Sequence, residues 1–292
     1  MLKFLRVGAP LLLILSCLVV GAWLLLKDAS IPVLSPSGVI ASQQRDLLIF
    51  TIALSAVVVI PVYGLLVLFA VKYRATNKKA KYRPNWGENK WLEALWWGIP
   101  MVVIVLLAVV TYQTSHGLDP YKRLAGNDTL EVQVVALRWK WLFLYPDEGV
   151  AALNQLPIPV NKPVHFTMTA DAPMSAFWIP ALGSQIYAMN GMSSELNLKA
   201  TERGTFTGYT TNINGKGYAN MTFAAKVLSQ QDYDKWVSRA AVADMTMTAG
   251  VYNSLVQPNS ETDQRTYRLS DRNLFKTIVD KYMGHGAHGG NG

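Results

Sequence analysis

The sequence predicts a membrane-anchored protein in which a two-helix transmembrane hairpin precedes an extramembrane β-sandwich and a mainly helical C-terminal tail. Three observations predict it. Two apolar runs of bilayer length carry no charge, a strongly basic stretch separates them, and beyond Thr129 the helical period gives way to short runs rich in valine, threonine and aromatics. The 292-residue chain is 51% hydrophobic with positive mean hydropathy, which exceeds the usual soluble composition. Its net charge of +8 does not point to nucleic acid, because the basic residues gather between the apolar runs rather than on one face of a folded domain.

Residues 1–26 form the first element. Lys3 and Arg6 precede an uncharged run from Val7 to Leu26, which has the order of an export signal and the length of a membrane span. Ile14-Leu15-Ser16-Cys17 resembles a bacterial lipobox, which makes Cys17 a lipidation candidate. The plain alternative is an uncleaved signal anchor with a buried, inert thiol. Cys17 is the sole cysteine, so no intrachain disulfide can form. Residues 27–46 read as a periplasmic linker.

Residues 47–115 hold the hairpin. Leu47 to Val71 gives 25 residues without a charge and Ala94 to Ser115 gives 22, against the roughly 20 that cross a hydrocarbon core. Pro61 and Pro100 lie inside these runs, which membrane helices tolerate when neighbouring helices satisfy the freed carbonyls. The loop 72–90 carries Lys72, Arg74, Lys78, Lys79, Lys81, Arg83 and Lys90 against the single acid Glu88, so it is expected on the cytoplasmic side. Trp86, Trp91, Trp96, Trp97 and Tyr112 fit interfacial aromatic belts. Everything after residue 115 then lies outside, in the periplasm of a Gram-negative cell.

Residues 116–228 read as one extramembrane domain. Strands are expected at Thr129–Ala136, Val164–Thr169, Glu195–Lys199, Thr205–Thr211 and Met221–Val227, separated by turn-forming clusters such as Asn161-Lys162-Pro163 and Asn212-Ile213-Asn214-Gly215. An antiparallel sandwich or Greek-key barrel follows. Trp139 and Trp141 are expected on one face of a strand, two residues apart. His165, within a strand and without a nearby histidine or cysteine, reads as a hydrogen-bonded structural residue. In residues 229–292, Tyr233, Trp236 and Val237 mark one helical face, and Leu274, Ile278 and Tyr282 another. His285 and His288, in a glycine-rich terminus, read as a flexible tail rather than a metal tract.

A two-span hairpin with a basic loop and a small sandwich resembles subunit II of the haem-copper oxidases. The stretches that carry the resemblance are Lys72 to Tyr82, Trp139-Lys140-Trp141-Leu142-Phe143-Leu144-Tyr145-Pro146, and Phe177-Trp178-Ile179-Pro180 onward to Met189. Together they look like the ubiquinol oxidase branch, the cytochrome bo type, and imply a cupredoxin-like domain. In the copper-bearing cytochrome c oxidase branch this domain holds two coppers through a distant histidine and a Cys-x-x-x-Cys-Gly-x-x-His-x-x-Met segment. Soft thiolates bridge the metals there, and imidazoles and a thioether complete the set.

Laid on this sequence, the cysteine positions fall at Thr210 and Asn214, the histidine at Tyr218 and the distant histidine at Ser175. The carboxylate between the cysteines is Asn212, and only Gly215 and Met221 remain. No copper is therefore expected in this chain, and Met221 reads as a packed core methionine. The resemblance implies an enzyme subunit without redox centres of its own. Haem groups and a single copper are expected in a partner subunit I, with ubiquinol as substrate of the complex.

Smaller subunits and membrane lipid are the further expected partners, and cytochrome c is not. In relatives the glutamate of the segment Trp-Leu-Glu-Ala-Leu-Trp-Trp sits at the mouth of a proton path. Glu93 matches it, either as a proton-loading group or as an interfacial acid paired with Lys90. The readings weighed against this one are a copper-bearing cytochrome c oxidase subunit II and a free-standing membrane-anchored periplasmic binding lipoprotein. The sequence holds no motif of an autonomous hydrolase.

Overall fold

A computed structural model of the chain describes residues 31–80, 87–126, 128–259 and 263–283. Residues 1–30 with Cys17, the loop positions 81–86 with Trp86, and the tail with His285 and His288 lie outside the described residues. The described chain divides into two units, one of Asp46–Gly117 and one of Pro32–Arg45 with the residues from Leu118 onward.

The first unit is helical. Helix α1 (Val39–Lys72) enters it at Asp46 and α2 (Lys90–Gly117) completes it; both are long and apolar enough to cross a membrane. Along the apolar runs from Leu47 and from Ala94 their side chains are apolar on all sides and mostly exposed, as a helix solvated by lipid requires. Pro61 and Pro100 lie inside the helices. At the start of α2 the Asn89 side chain accepts from the backbone N–H groups of Trp91 (3.1 Å) and Leu92 (3.2 Å), satisfying donors that a helix N-terminus leaves free.

The second unit is a sandwich of two sheets. One sheet contains β1 (Leu130–Leu137), β2 (Lys140–Tyr145), β3 (Val150–Leu153), β5 (Pro163–Ala170), β8 (Ser194–Lys199), β11 (Thr246–Met247) and β12 (Arg265–Leu269), in the order β11-β12-β3-β2-β1-β5-β8. The other contains β4 (Gln155–Pro159), β6 (Ser175–Trp178), β7 (Ile186–Ala188), β9 (Gly204–Thr210) and β10 (Thr222–Leu228), in the order β4-β10-β9-β6-β7. The expected sandwich is present, with one correction: β1 with β5, β4 with β10 and β11 with β12 pair in parallel. Parallel neighbours need long connections, which strand spacing alone does not reveal.

Alternation along β1 and β2 explains the layers. Val134, Ala136, Trp141, Phe143 and Tyr145 point between the sheets, while Val135, Leu137, Leu142 and Leu144 point to the outer face. Both faces are covered, so Lys140 to Tyr145 is a continuous buried run rather than an alternating one. Between the sheets Phe177 touches four rings, with centroids 5.4 Å from Trp141, 6.3 Å from Phe143, 5.6 Å from Phe166 and 5.1 Å from Phe223. Gly208 on β9 lies opposite Phe223 on β10, and a Cβ there would stand 2.0 Å from the Phe223 ring. Gly208→Ala must push that ring aside, and a loss of about 1–3 kcal/mol is expected as a lower denaturation midpoint.

The chain crosses from β3 to β4, and so from one sheet to the other, at Asn154. This residue adopts φ 52°, a left-handed conformation that asparagine tolerates, and its side chain accepts from Trp141 N–H at 2.9 Å.

The 27–46 stretch, where described, is not a free linker. Ile40 enters the sandwich core, Gly38 bridges Ala200, and Ser37 N–H donates to the Ala181 carbonyl at 2.8 Å. Ile40 and Ala41 are apolar and find cover there. The tail also joins the domain beyond residue 228. Helices α3 (Gln230–Ala241), α4 (Ala249–Val256) and α5 (Leu274–Met283) form as expected, but β11 and β12 extend the larger sheet. Tyr233, Trp236 and Val237 of α3 pack on the inter-sheet core. Tyr252 and Leu255 of α4 and Phe275, Ile278 and Val279 of α5 cover the outer face. Lys140, fully buried on β2, donates through Nζ to the Gln257 carbonyl (3.1 Å) and to Asn259 Oδ1, which is how an interior ammonium is tolerated.

Candidate functional site

The fold brings most of the expected copper positions together at one end of the five-stranded sheet. Ser175 opens β6, Thr210 closes β9, and the loop after β9 carries Asn212 and Asn214 before returning at Met221. Because β6 and β9 are paired, Phe177 opposite Thr210, residues 33 positions apart in sequence become neighbours.

Neutral hydrogen bonds fill the space. Asn214 Nδ2 donates to Ser175 Oγ at 2.8 Å and to Met221 Sδ at 3.4 Å. Thr210 Oγ1 donates to Asn212 Oδ1 at 3.0 Å, and Asn212 Oδ1 also accepts from Ala176 N–H at 2.6 Å. Ser175 and Met221 are buried, whereas Tyr218, on a short 3-10 turn (Tyr218–Asn220), is 38% exposed. Asn214 Oδ1 is buried without a hydrogen-bond partner. A copper pair needs anionic soft sulfur and imidazole, and hydroxyl, amide and one thioether do not fit that requirement. Among the described residues, no group of three or more histidine, cysteine and acidic side chains is placed to hold a metal.

Trp139 and Trp141 do not share a face, contrary to expectation. Arg138 and Trp139 form the two-residue turn between β1 and β2, with Trp139 at φ 62°, so the alternation is broken between the two indoles. Trp141 is wholly buried between the sheets. Trp139 instead lies on the loop of the copper positions, where a Cβ on Gly217 would come within 2.4 Å of the indole and one on Gly215 within 3.1 Å. Only glycine lets the backbone approach the ring so closely.

Glu93 lies in the first turn of α2, where a negative charge complements the helix dipole. Among the described residues it makes no ion pair with Lys90. His165 is buried on β5 and held between two carboxylates, Glu131 on β1 and Glu195 on β8, the latter at 3.2 Å.

One cluster had no counterpart in the sequence reading. The Asp171 carboxylate, after β5, accepts from Lys281 Nζ (2.8 Å) and Tyr282 OH (2.5 Å) on Oδ1 and from Tyr252 OH (2.7 Å) on Oδ2. Burial alone would raise its pKa, but the hydrogen bonds from Lys281, Tyr282 and Tyr252 outweigh it and hold the carboxyl below its ordinary value. Tyr252 is pushed the other way, by burial first and then by donating to Asp171. The partners lie 81 to 111 residues away in sequence, so no local spacing announces them.

Comparison with known proteins follows the same lines. The family model for the transmembrane domain of cytochrome c oxidase subunit II matches residues 22–114, and that for its periplasmic domain matches residues 149–228. A third, the COX aromatic rich motif, matches residues 243–286. The chain is 41% identical over 262 residues to cytochrome bo(3) ubiquinol oxidase subunit 2 of Pseudomonas putida, covering 89% of this chain and 83% of that one. It is 38% identical over 272 residues to the protein of the same name from Pseudomonas aeruginosa, covering 91% and 82%. Against ubiquinol oxidase subunit 2 of Acetobacter aceti the identity is 40% over 262 residues, covering 89% and 85%.

Proposed function

We propose, from the premise that this chain belongs to the cytochrome bo-type ubiquinol oxidase subunit 2 family, that it is the non-haem subunit II of a terminal respiratory oxidase that oxidises ubiquinol and reduces oxygen to water. The observation that carries the reading is the neutral Ser175, Asn214 and Met221 network where the copper-bearing branch has its ligands. Without soft anionic ligands the sandwich offers electrons no stopping place, so they enter from a quinol within the membrane. Haem groups and the single copper belong to subunit I, beside which this chain acts as a scaffold. The hairpin sits in the bacterial inner membrane with the loop 72–90 inside and the sandwich in the periplasm, and Cys17 is the position for a lipid anchor.

The test is donor specificity in the purified complex. Oxygen uptake is expected with ubiquinol and not with reduced cytochrome c, and the isolated full-length chain in detergent is expected to lack the coloured spectrum of a copper pair. Oxidation of cytochrome c, or two tightly held coppers in this chain, would remove the proposal. The copper-bearing alternative lacks the donors, and the free-standing lipoprotein has no support among relatives that carry oxidase names.

Glu93 is proposed as the proton-loading group at the cytoplasmic end of α2, where a carboxyl at membrane depth is costly unless it has a task. Glu93→Ala is expected to slow turnover of the complex by about tenfold or more, at or below the ~10²–10⁴ that a positioned proton-transfer group contributes. Glu93→Asp should retain most of the activity. Unchanged proton uptake and turnover in Glu93→Ala would leave Glu93 as an ordinary interfacial acid.

A further inference from the structure

Where α5 passes the end of β5, a cleft of about 350 Å³ opens, with Arg138, Asn190, Val256, Lys281 and Tyr282 around the buried Asp171. It involves none of the copper positions. Asp171 is the only acid lining it among the described residues, and that carboxylate is already committed. Oδ1 takes Lys281 Nζ and Tyr282 OH, and Oδ2 takes Tyr252 OH and a second approach of Lys281 Nζ at 3.1 Å. With four contacts made and its charge matched by Lys281, the carboxylate has nothing left for a cation.

What remains open are donors. The Lys281 side chain is 52% exposed and keeps an N–H beyond those used on Asp171. Arg138, held at the β1–β2 turn, makes no hydrogen bond or ion pair among the described residues, so all five of its N–H donors are unused. Arg138 and Lys281 against Asp171 leave the cleft with one positive charge in excess. Gly191, at φ 67°, lets the loop after β7 close on α5, since a Cβ there would stand 3.1 Å from Tyr282 Cβ, and this fixes Asn190 at the wall. The volume lies at the lower end of the roughly 300–1,000 Å³ of small-molecule sites, enough for an oxyanion with a few attached atoms.

We propose that this cleft binds a phosphate- or carboxylate-bearing small molecule, with the Arg138 guanidinium clamping the oxyanion and Lys281 and Asn190 as its second and third contacts. The planar fork of an arginine suits two oxygens of such a group at once. Asp171 is a positioning residue that holds Lys281 and Tyr282 at the wall. The oxyanion could be supplied by a free metabolite or by the headgroup of an anionic lipid, and the two sources separate experimentally.

The experiment is calorimetric titration of the full chain in phosphatidylcholine nanodiscs with inorganic phosphate and glycerol phosphate, beside the variant Arg138→Gln. Saturable binding is expected, weakened about tenfold or more in the variant, on the scale of one lost charge-assisted pair. Among the described residues Arg138 makes no hydrogen bond or ion pair, so near-ultraviolet dichroism of the variant should match the parent. Repeating the titration in discs containing phosphatidylglycerol identifies the source. Unchanged phosphate binding supports a free oxyanion, and suppressed binding supports a headgroup already seated in the cleft. No saturable binding in the phosphatidylcholine discs, or binding that Arg138→Gln leaves intact, overturns the proposal.

Discussion

Phe177→Ala is expected to cost the sandwich about 3–5 kcal/mol, the range for truncating a fully buried phenylalanine. Phe177 is stacked on Phe223 with ring planes 9° apart and meets Trp141 edge-on, so its removal opens a cavity that rings from three other strands cannot close without leaving their rotamers. Against the roughly 5–15 kcal/mol of a typical domain, one such change removes a large share of the total. Denaturant unfolding of the purified chain, followed by near-ultraviolet dichroism, should show a much lower midpoint with little change in slope. Phe177→Leu, which refills part of the cavity, should recover more than half of the loss. A midpoint for Phe177→Ala within experimental error of the parent would mean that the ring cluster does not hold the sheets together.

Asp171→Ala is expected to loosen the C-terminal helices, at about 2–4 kcal/mol. Three donors lose a charged acceptor, each such hydrogen bond being worth roughly 1.5–3 kcal/mol, but Lys281 is half-exposed and regains water, so the sum is not reached. Hydrogen exchange should rise in α5 and α4 before the sandwich strands respond.

Asp171 also makes this docking sensitive to acid. Its folded pKa lies below the unfolded one, so the unfolded chain takes up the proton first and stability falls as pH drops. The contribution is complete above the unfolded value of about 3.9 and is lost as pH falls through the folded value. Asp171→Asn should flatten that acid limb while lowering stability at neutral pH. An unaltered acid limb in the variant would place the proton uptake on another group.

Much of the architecture was legible in the sequence because its marks are local. Two uncharged runs and a basic loop announce the helices, and β-branched runs place β1, β5, β8, β9 and β10 within a residue or two of their observed bounds. β2 escaped that reading because its two faces are both buried, which erases the alternation in Lys140 to Tyr145 and leaves an aromatic run that reads as a motif. β3 and β4 are short and rich in alanine and proline, and β12 carries two arginines within a stretch that reads as tail. The positions that the family resemblance assigns to the vacated copper ligands lie in one loop and one distant strand, and the pairing of β6 with β9 makes most of them neighbours. The Asp171 cluster could not, since it is assembled from a post-strand loop and two helices of the tail and exists only after the sheets have packed.

The doubly covered seven-stranded sheet sets an order of events for making this protein. Leu142 and Leu144 are synthesised well over a hundred residues before Phe275, Ile278 and Val279, the side chains that shelter them. An emerging chain that has reached only Leu228 already possesses the five-stranded sheet and five strands of the larger one, yet shows water a broad oily surface, the kind that recruits chaperones or clumps. Folding of the sandwich unit therefore cannot finish until residues through Met283 have been made, and shortened versions ending near Leu228 should need solubilising help.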